Sequence, residues 1–292
     1  MKANQTSQTI PAATLIVETV PCFTDNLSYL IVEIDQRSAV GRTLVIDPGE
    51  APPFFRRLKE LEERYAKPLE ISAVLTTHHH HDHTDGLIDL PEVPTWTSVR
   101  DQNRLPSAGG RGRPQALQAE KTYTWHELLG SAAKPTAGLP PSHEAEFSIL
   151  EIPGHTAGQI AICLKQANER HVFVGDTLFS LGCGRCLEGT PEELFHSLQK
   201  IKALPPESRL HFGHEYTKRN LEFWNEMLKQ HASDLNDLFD EASVEALQQE
   251  LSSEGFTSRK APTILEELRS NPFLKIKNAT EFRRWRQYRN QF

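Results

Sequence analysis

No stretch of these 292 residues approaches the roughly 18 consecutive apolar side chains that a membrane-spanning helix needs. A membrane partner is therefore not expected. Cysteine is scarce: four residues, scattered along the chain, are too few to staple a fold of this length. That excludes the disulfide-built secreted scaffolds and makes the cytoplasm the expected compartment. The start of the chain offers one lysine and then polar residues, and Leu15–Val17 is too brief for a signal-peptide core. Residues 1–13 are expected to be a disordered tail. An excess of positive charge is also missing. With 32 Lys and Arg against 39 Asp and Glu, the net charge is −7, which opposes general binding to nucleic acid or anionic lipid. No repeat of solenoid period is present. What is present is an ordinary globular composition, 38% hydrophobic and 24% charged, long enough for one large domain or two ordinary ones. A monomer is the expected state.

The first half alternates strand and helix signals. Leu15–Val20, Ser28–Ile34 and Thr43–Asp47 are short β-rich runs, separated by turn residues such as Asp25-Asn26 and Pro48-Gly49. Residues 54–67 carry Phe54, Phe55, Leu58, Leu61 and Tyr65 at helical spacing. Ile71–Thr76 is a buried strand running straight into Thr77-His78-His79-His80-His81-Asp82-His83. Strands resume at 95–99, 147–152, 159–164 and 171–174. Residues 100–144, rich in Gly, Pro, Ser and Ala, read as an inserted surface segment with a short helical island at 124–129. From about residue 190 the pattern is helical, beginning with Thr190 and Glu193 at capping-box spacing. The domains so expected are 14–190, an α/β body, and 191–292, mainly helical.

The histidine run carries the chemistry. A strand period of two sets His78 and His80 on one side and His79 and His81 on the other. Two imidazoles at a strand end can share one pocket, and Asp82 and His83, where the chain turns, can serve a second metal beside it. Imidazole and carboxylate suit Zn²⁺, Fe and Mn. Further candidate ligands recur where later strands end: His155 in Pro153-Gly-His-Thr-Ala-Gly158, Asp176 after Val172-Phe-Val-Gly175, and His214 after Leu210-His-Phe-Gly213. Each alone reads equally as a cap or a surface residue. Together, four strand ends deliver five histidines and two aspartates to one edge.

The run HxHxDH, here His78, His80, Asp82 and His83, resembles the signature of the metallo-β-lactamase superfamily. The resemblance implies an αββα sandwich followed by a helical C-terminal region. It implies one divalent ion on His78, His80 and His155, and a second on Asp82, His83 and His214, with Asp176 bridging. Zinc is the first expectation for both. Two such ions about 3.5–4 Å apart share a water and lower its pKa towards neutrality, so Asp82 and Asp176 count as catalytic as well as metal-binding.

Three further segments resemble the glyoxalase II family within that superfamily: Gly175–Thr190, with Cys183-Gly-Arg185; Phe212–Thr217, with Tyr216; and Asn271-Pro-Phe273 together with the basic end Arg286-Gln-Tyr-Arg289. That resemblance implies hydrolysis of S-(2-hydroxyacyl)glutathione, chiefly S-(R)-lactoylglutathione. Arg185, Tyr216, Arg286 and Arg289 would then hold the glutathione arm, whose two carboxylates call for fixed guanidinium forks. Leu187 stands where the family often has an aromatic residue, and Asn290 where an acid is expected. The competing expectations are another hydrolase of the superfamily, such as a lactonase, or a metal- or glutathione-binding protein without turnover.

Overall fold

A computed structural model describes residues 13–35, 38–106, 112–119, 121–130, 145–235, 238, 241–252 and 261–292. The expected tail up to residue 12 and the Gly-rich piece 107–111 lie outside them. Two sheets dominate. The first orders β1 (Ala13–Cys22), β2 (Asn26–Asp35), β3 (Gly41–Ile46), β4 (Leu69–Leu75), β5 (Thr95–Ser98) and β6 (Gln115–Leu117) side by side. It is antiparallel as far as β3 and parallel from there. The second orders β13 (Arg209–Phe212), β10 (Glu169–Gly175), β9 (Ile160–Gln166), β8 (Ala145–Glu151) and β7 (Thr122–Thr124). A hairpin of β11 (Leu178–Phe179) and β12 (Gly182–Cys183) leads out of the second sheet.

β2 is buried along its whole length, and alternation assigns each of its residues to a layer. In β2, Tyr29 and Ile31 face the space between the sheets, where they meet Phe147, Ile149, Ile162 and Phe173 of the second sheet. Leu30, Val32 and Ile34 face the opposite way, against Phe54, Leu58 and Leu61 of α1 (Pro52–Tyr65). The outer face of the second sheet, with Ala161, Val172 and Val174, packs on α4 (Pro191–Lys202), α5 (Thr217–Leu235), α7 (Ile264–Ser270), α8 (Pro272–Lys275) and α9 (Ala279–Gln291). Helix, sheet, sheet, helix is the αββα order. No helix among the described residues is long and apolar enough to cross a membrane.

Two stretches depart from the sequence pattern. Residues 100–144, compositionally loop-like, contribute β6 to one sheet and β7 to the other. They also contribute α3 (Trp125–Leu129), closed by a Thr124–Glu127 capping box. Tyr123, Trp125, Leu128 and Leu129 from this stretch are buried between the sheets. Three-residue strands are too short to show a period, which is why composition alone hid them. The region after residue 190 is not helical throughout, because β13 joins the second sheet parallel to β10.

The C-terminal helices also hold the hairpin. Asn271 donates to the carbonyls of Phe179 at 2.9 Å and Gly182 at 3.1 Å. Asn220 donates to Ser180 O at 2.8 Å and Trp224 Nε1 to Leu181 O at 2.7 Å. A two-residue hairpin buried away from water needs such partners for its carbonyls. The Asn271→Ala variant should lose about 1–3 kcal/mol, the cost of leaving buried acceptors unmet. Urea unfolding checks this: the midpoint should fall while the m-value stays unchanged.

Candidate metal centre

The site forms where β3, β4, β8, β10 and β13 end, all at one edge of the sandwich. Asp47 follows β3 with φ of 52° and lies buried. Its Oδ1 accepts the Thr77 N–H at 2.7 Å and its Oδ2 accepts the Thr77 hydroxyl at 2.7 Å. That double grip fixes the backbone where β4 turns into His78. The chain then enters a single helical turn, α2 (His81–Thr84), with His80 at its N-cap. His78 and His83 are fully buried, whereas His80 and Asp82 are half-buried.

Ring nitrogens converge without a proton that could satisfy them all. His80 Nδ1 lies 3.2 Å from His78 Nε2 and 3.1 Å from His155 Nε2. Beside this trio, His214 Nε2 is 3.3 Å from Asp82 Oδ2, and His83 Nε2 is 3.9 Å from the same oxygen. Asp176 joins the groups: its Oδ2 is 3.4 Å from both His155 Nε2 and His214 Nε2, and its Oδ1 is 3.2 Å from His83 Nε2. Gly213 has to be glycine here, since a Cβ would come within 2.2 Å of Asp176 Oδ1. The donor atoms of His78, His80 and His155 lie within 4.8 Å of one another, as do those of Asp82, His83 and His214. His83 Nε2 and Asp176 Oδ1 are buried with no hydrogen-bond partner. Two orphaned donor atoms facing each other inside imidazoles and carboxylates fit a divalent cation.

The far side of each ring is already committed. His155 Nδ1 meets the Arg185 carbonyl at 2.8 Å, His214 Nδ1 meets Asp25 Oδ1 at 2.8 Å, and His83 Nδ1 meets Asp47 Oδ2 at 3.2 Å. His78 Nδ1 sits 3.1 Å from the Thr77 hydroxyl. Protons placed on these Nδ1 atoms leave the Nε2 lone pairs aimed at the centre, the tautomer a metal ligand needs. Asn26 donates to Asp82 Oδ2 at 3.1 Å and orients that carboxylate. Asp25, Asn26 and Asp47 escaped the sequence reading. Their only signal was an acid or amide in a turn directly after a strand.

The electrostatics agree. Burial lifts the Asp176 carboxyl, but the imidazoles of His83 and His214 outweigh it and hold it well below the usual carboxylate range. Burial likewise raises Asp82, and His214 and His83 reverse it. Burial, reinforced by the neighbouring imidazole of His155, pushes His80 down to about 4. Burial also lowers His214, yet the carboxylates of Asp176 and Asp82 raise it to about 10. The carboxylates stay ionised, and burial keeps His78 and His80 neutral with lone pairs to donate.

A cavity of about 380 Å³ opens from the centre, lined by His80, Asp82, His155, Asp176 and His214 together with Arg185, Arg286 and Arg289. Tyr216 stacks on His214 with ring centroids 4.8 Å apart, and burial keeps its phenol protonated. Arg286 and Arg289 are buried. Arg286 Nη1 donates to the Cys183 carbonyl at 2.6 Å and the Gly184 carbonyl at 3.3 Å, and its Nε donates to Asn290. Arg289 Nε and Nη2 donate to Asn220 Oδ1 at 3.2 and 3.1 Å. Arg219, which the sequence reading passed over, lines the same cavity. His79 and His81 turn elsewhere: His79 pairs with Asp101 and Glu188, and exposed His81 with Asp85.

Comparison with known proteins gives the same direction. Residues 24–214 match the family model of the metallo-β-lactamase superfamily. The hydroxyacylglutathione hydrolase of Bdellovibrio bacteriovorus is 32% identical, the alignment covering 94% of this chain and 97% of that protein. That of Pelagibacter ubique is 33% identical over 94% and 99%, and that of Vibrio campbellii is 35% identical over 91% and 88%. Among solved structures, ETHE1 from Myxococcus xanthus shares the fold, with a TM-score of 0.57 at 20% identity, covering 93% of this chain and 90% of that one. The chain belongs to the metallo-β-lactamase superfamily and, within it, to the hydroxyacylglutathione hydrolase family.

Proposed function

We infer that the protein hydrolyses S-(2-hydroxyacyl)glutathione thioesters, chiefly S-(R)-lactoylglutathione to (R)-lactate and glutathione, as a step in methylglyoxal detoxification. The observation that carries this reading is a single cavity lined both by metal-ligand donors and by guanidinium groups. A thioester that joins a reacting carbonyl to an anionic arm fits such a lining. His78, His80 and His155 would hold one divalent ion and Asp82, His83 and His214 a second, with Asp176 shared; zinc suits both, and iron and manganese suit the same donors. When bound, such a pair acidifies water and polarises an acyl carbonyl.

The chain's own residues do the rest. Asp82 and Asp176 are held too acidic to store a proton near neutrality. They act as hydrogen-bond acceptors that orient the attacking water. Tyr216 keeps its proton and can donate to the substrate beside His214. Arg185 and the buried Arg289 supply positive charge for the carboxylates of the arm. Arg286 spends one nitrogen on the carbonyls of Cys183 and Gly184, so it also fixes the loop that carries Arg185.

Loss of the thioester absorbance of S-lactoylglutathione tests the reading. Protein carrying bound metal, verified by elemental analysis, should turn the substrate over, and a metal-loaded protein that leaves it intact contradicts the assignment. The Asp47→Asn variant should keep the fold but bind metal about 10- to 100-fold more weakly, the usual consequence of removing a partner that orients ligands. Competition with a chelator reads this out. Arg289→Ala should raise KM while kcat holds, the pattern of a lost binding contact. Arg286→Ala should lower kcat as well, because its loop is released.

A further inference from the structure

The cavity contains more positive charge than the sequence reading assigned to it. Arg185, Arg219, Arg286 and Arg289 all line it, and among the described residues none of the four lies within ion-pair distance of a carboxylate. Arginines elsewhere on the surface do find such partners: Arg57 with Glu18, Arg104 with Glu188, Arg284 with Asp234. The two carboxylates that line the cavity, Asp82 and Asp176, face the histidines of the centre instead.

Arg219 also sits where helix physics disfavours it. It lies in the first turn of α5 beside Lys218, and that turn holds no acid. The N-terminal end of a helix carries partial positive charge, which favours anions and repels cations. A guanidinium there, exposed and without an acidic partner, adds to a field that attracts a negative ligand. The cluster is felt within the protein too: burial and the charges of Arg286, Arg219 and Arg185 push Arg289 down to about 10.

The free hydrogen-bonding capacity separates the four. Arg286 and Arg289 are partly used, on Cys183, Gly184 and Asn290 and on Asn220. Arg185 and Arg219 are exposed and line the cavity. Leu187, 60% exposed in the same wall, offers no hydrogen bond. Glutathione brings two carboxylates, and the exposed pair offers two guanidiniums.

We propose that Arg219 is a substrate-binding residue that pairs with one carboxylate of the thiol arm while Arg185 takes the other, so that the open guanidiniums at the mouth set the preference for a dicarboxylate thiol. This rests on the thioesterase reading above. Arg286 fixes the loop that carries Arg185, Arg289 adds a buried binding contact, and the exposed pair engages the two carboxylates.

The experiment compares zinc-loaded wild type, Arg219→Ala and Arg219→Lys on three lactoyl thioesters. Their arms carry two carboxylates (glutathione), one (its glycine ethyl ester) and none (N-acetylcysteamine). Arg219→Ala should raise KM for lactoylglutathione about fivefold with kcat unchanged, the scale of a partly solvated ion pair. The penalty should shrink as carboxylates are removed and weaken as salt rises. Arg219→Lys should recover part of it. Calorimetry with glutathione as the ligand should show the same loss of affinity without turnover. An Arg219→Ala enzyme with wild-type KM for lactoylglutathione, or an equal penalty on all three arms, overturns the proposal while leaving the thioesterase reading intact. A wild type that fails to hydrolyse lactoylglutathione overturns that reading instead.

Discussion

The interaction on which the structure depends is the meeting of Asp176 with His83, His155 and His214 at the edge of the sandwich. A buried carboxylate with an oxygen lacking any hydrogen-bond partner is costly unless something positively charged sits against it. The outer nitrogens of the surrounding imidazoles are engaged by Asp25, Asp47 and the Arg185 carbonyl, which aims their inner nitrogens at the same point as the carboxylate. A cation between these groups removes the cost at every atom at once. Cation binding at this edge would therefore be linked to its stability.

That constraint reaches outward through the fold. Asp47 grips Thr77, and Thr77 starts the loop whose histidines form the centre. The Arg185 carbonyl orients His155 while the Arg185 side chain lines the mouth of the cavity. One short segment therefore both orients a histidine of the centre and lines the cavity beside it. The C-terminal helices complete it from behind, through Asn271, Asn220, Trp224 and Arg286 on the β11–β12 hairpin and the loop after it. The helical region and the sandwich share one apolar core, so the arginines of α9 are presented by a packed surface.

Much of this was legible in the sequence, for a physical reason. The strands that deliver ligands run mostly apolar towards their ends, and a His or Asp after such a run stands out. His78, His80, Asp82, His83, His155, Asp176 and His214 were all visible in that way, and the structure brings them together. What escaped detection was whatever acts across the fold without a local pattern. Asp47 and Asp25 look like any turn acid, since their value lies in a histidine tens of residues away. The strands Gln115–Leu117 and Thr122–Thr124 are too short to show a period. Arg219 was hidden because a lone cation in a helical turn carries no motif, and only the cavity reveals where it points.

The account's central claim is that one cavity joins a two-metal centre to an anion site. Anomalous diffraction from zinc-loaded crystals soaked with glutathione tests it most directly. The account predicts two zinc peaks flanking Asp176, one against His78, His80 and His155 and one against Asp82, His83 and His214, with the thiol arm extending towards Arg185 and Arg219. Zinc bound away from Asp176, or glutathione seated in a different cavity while the centre is loaded, would contradict it.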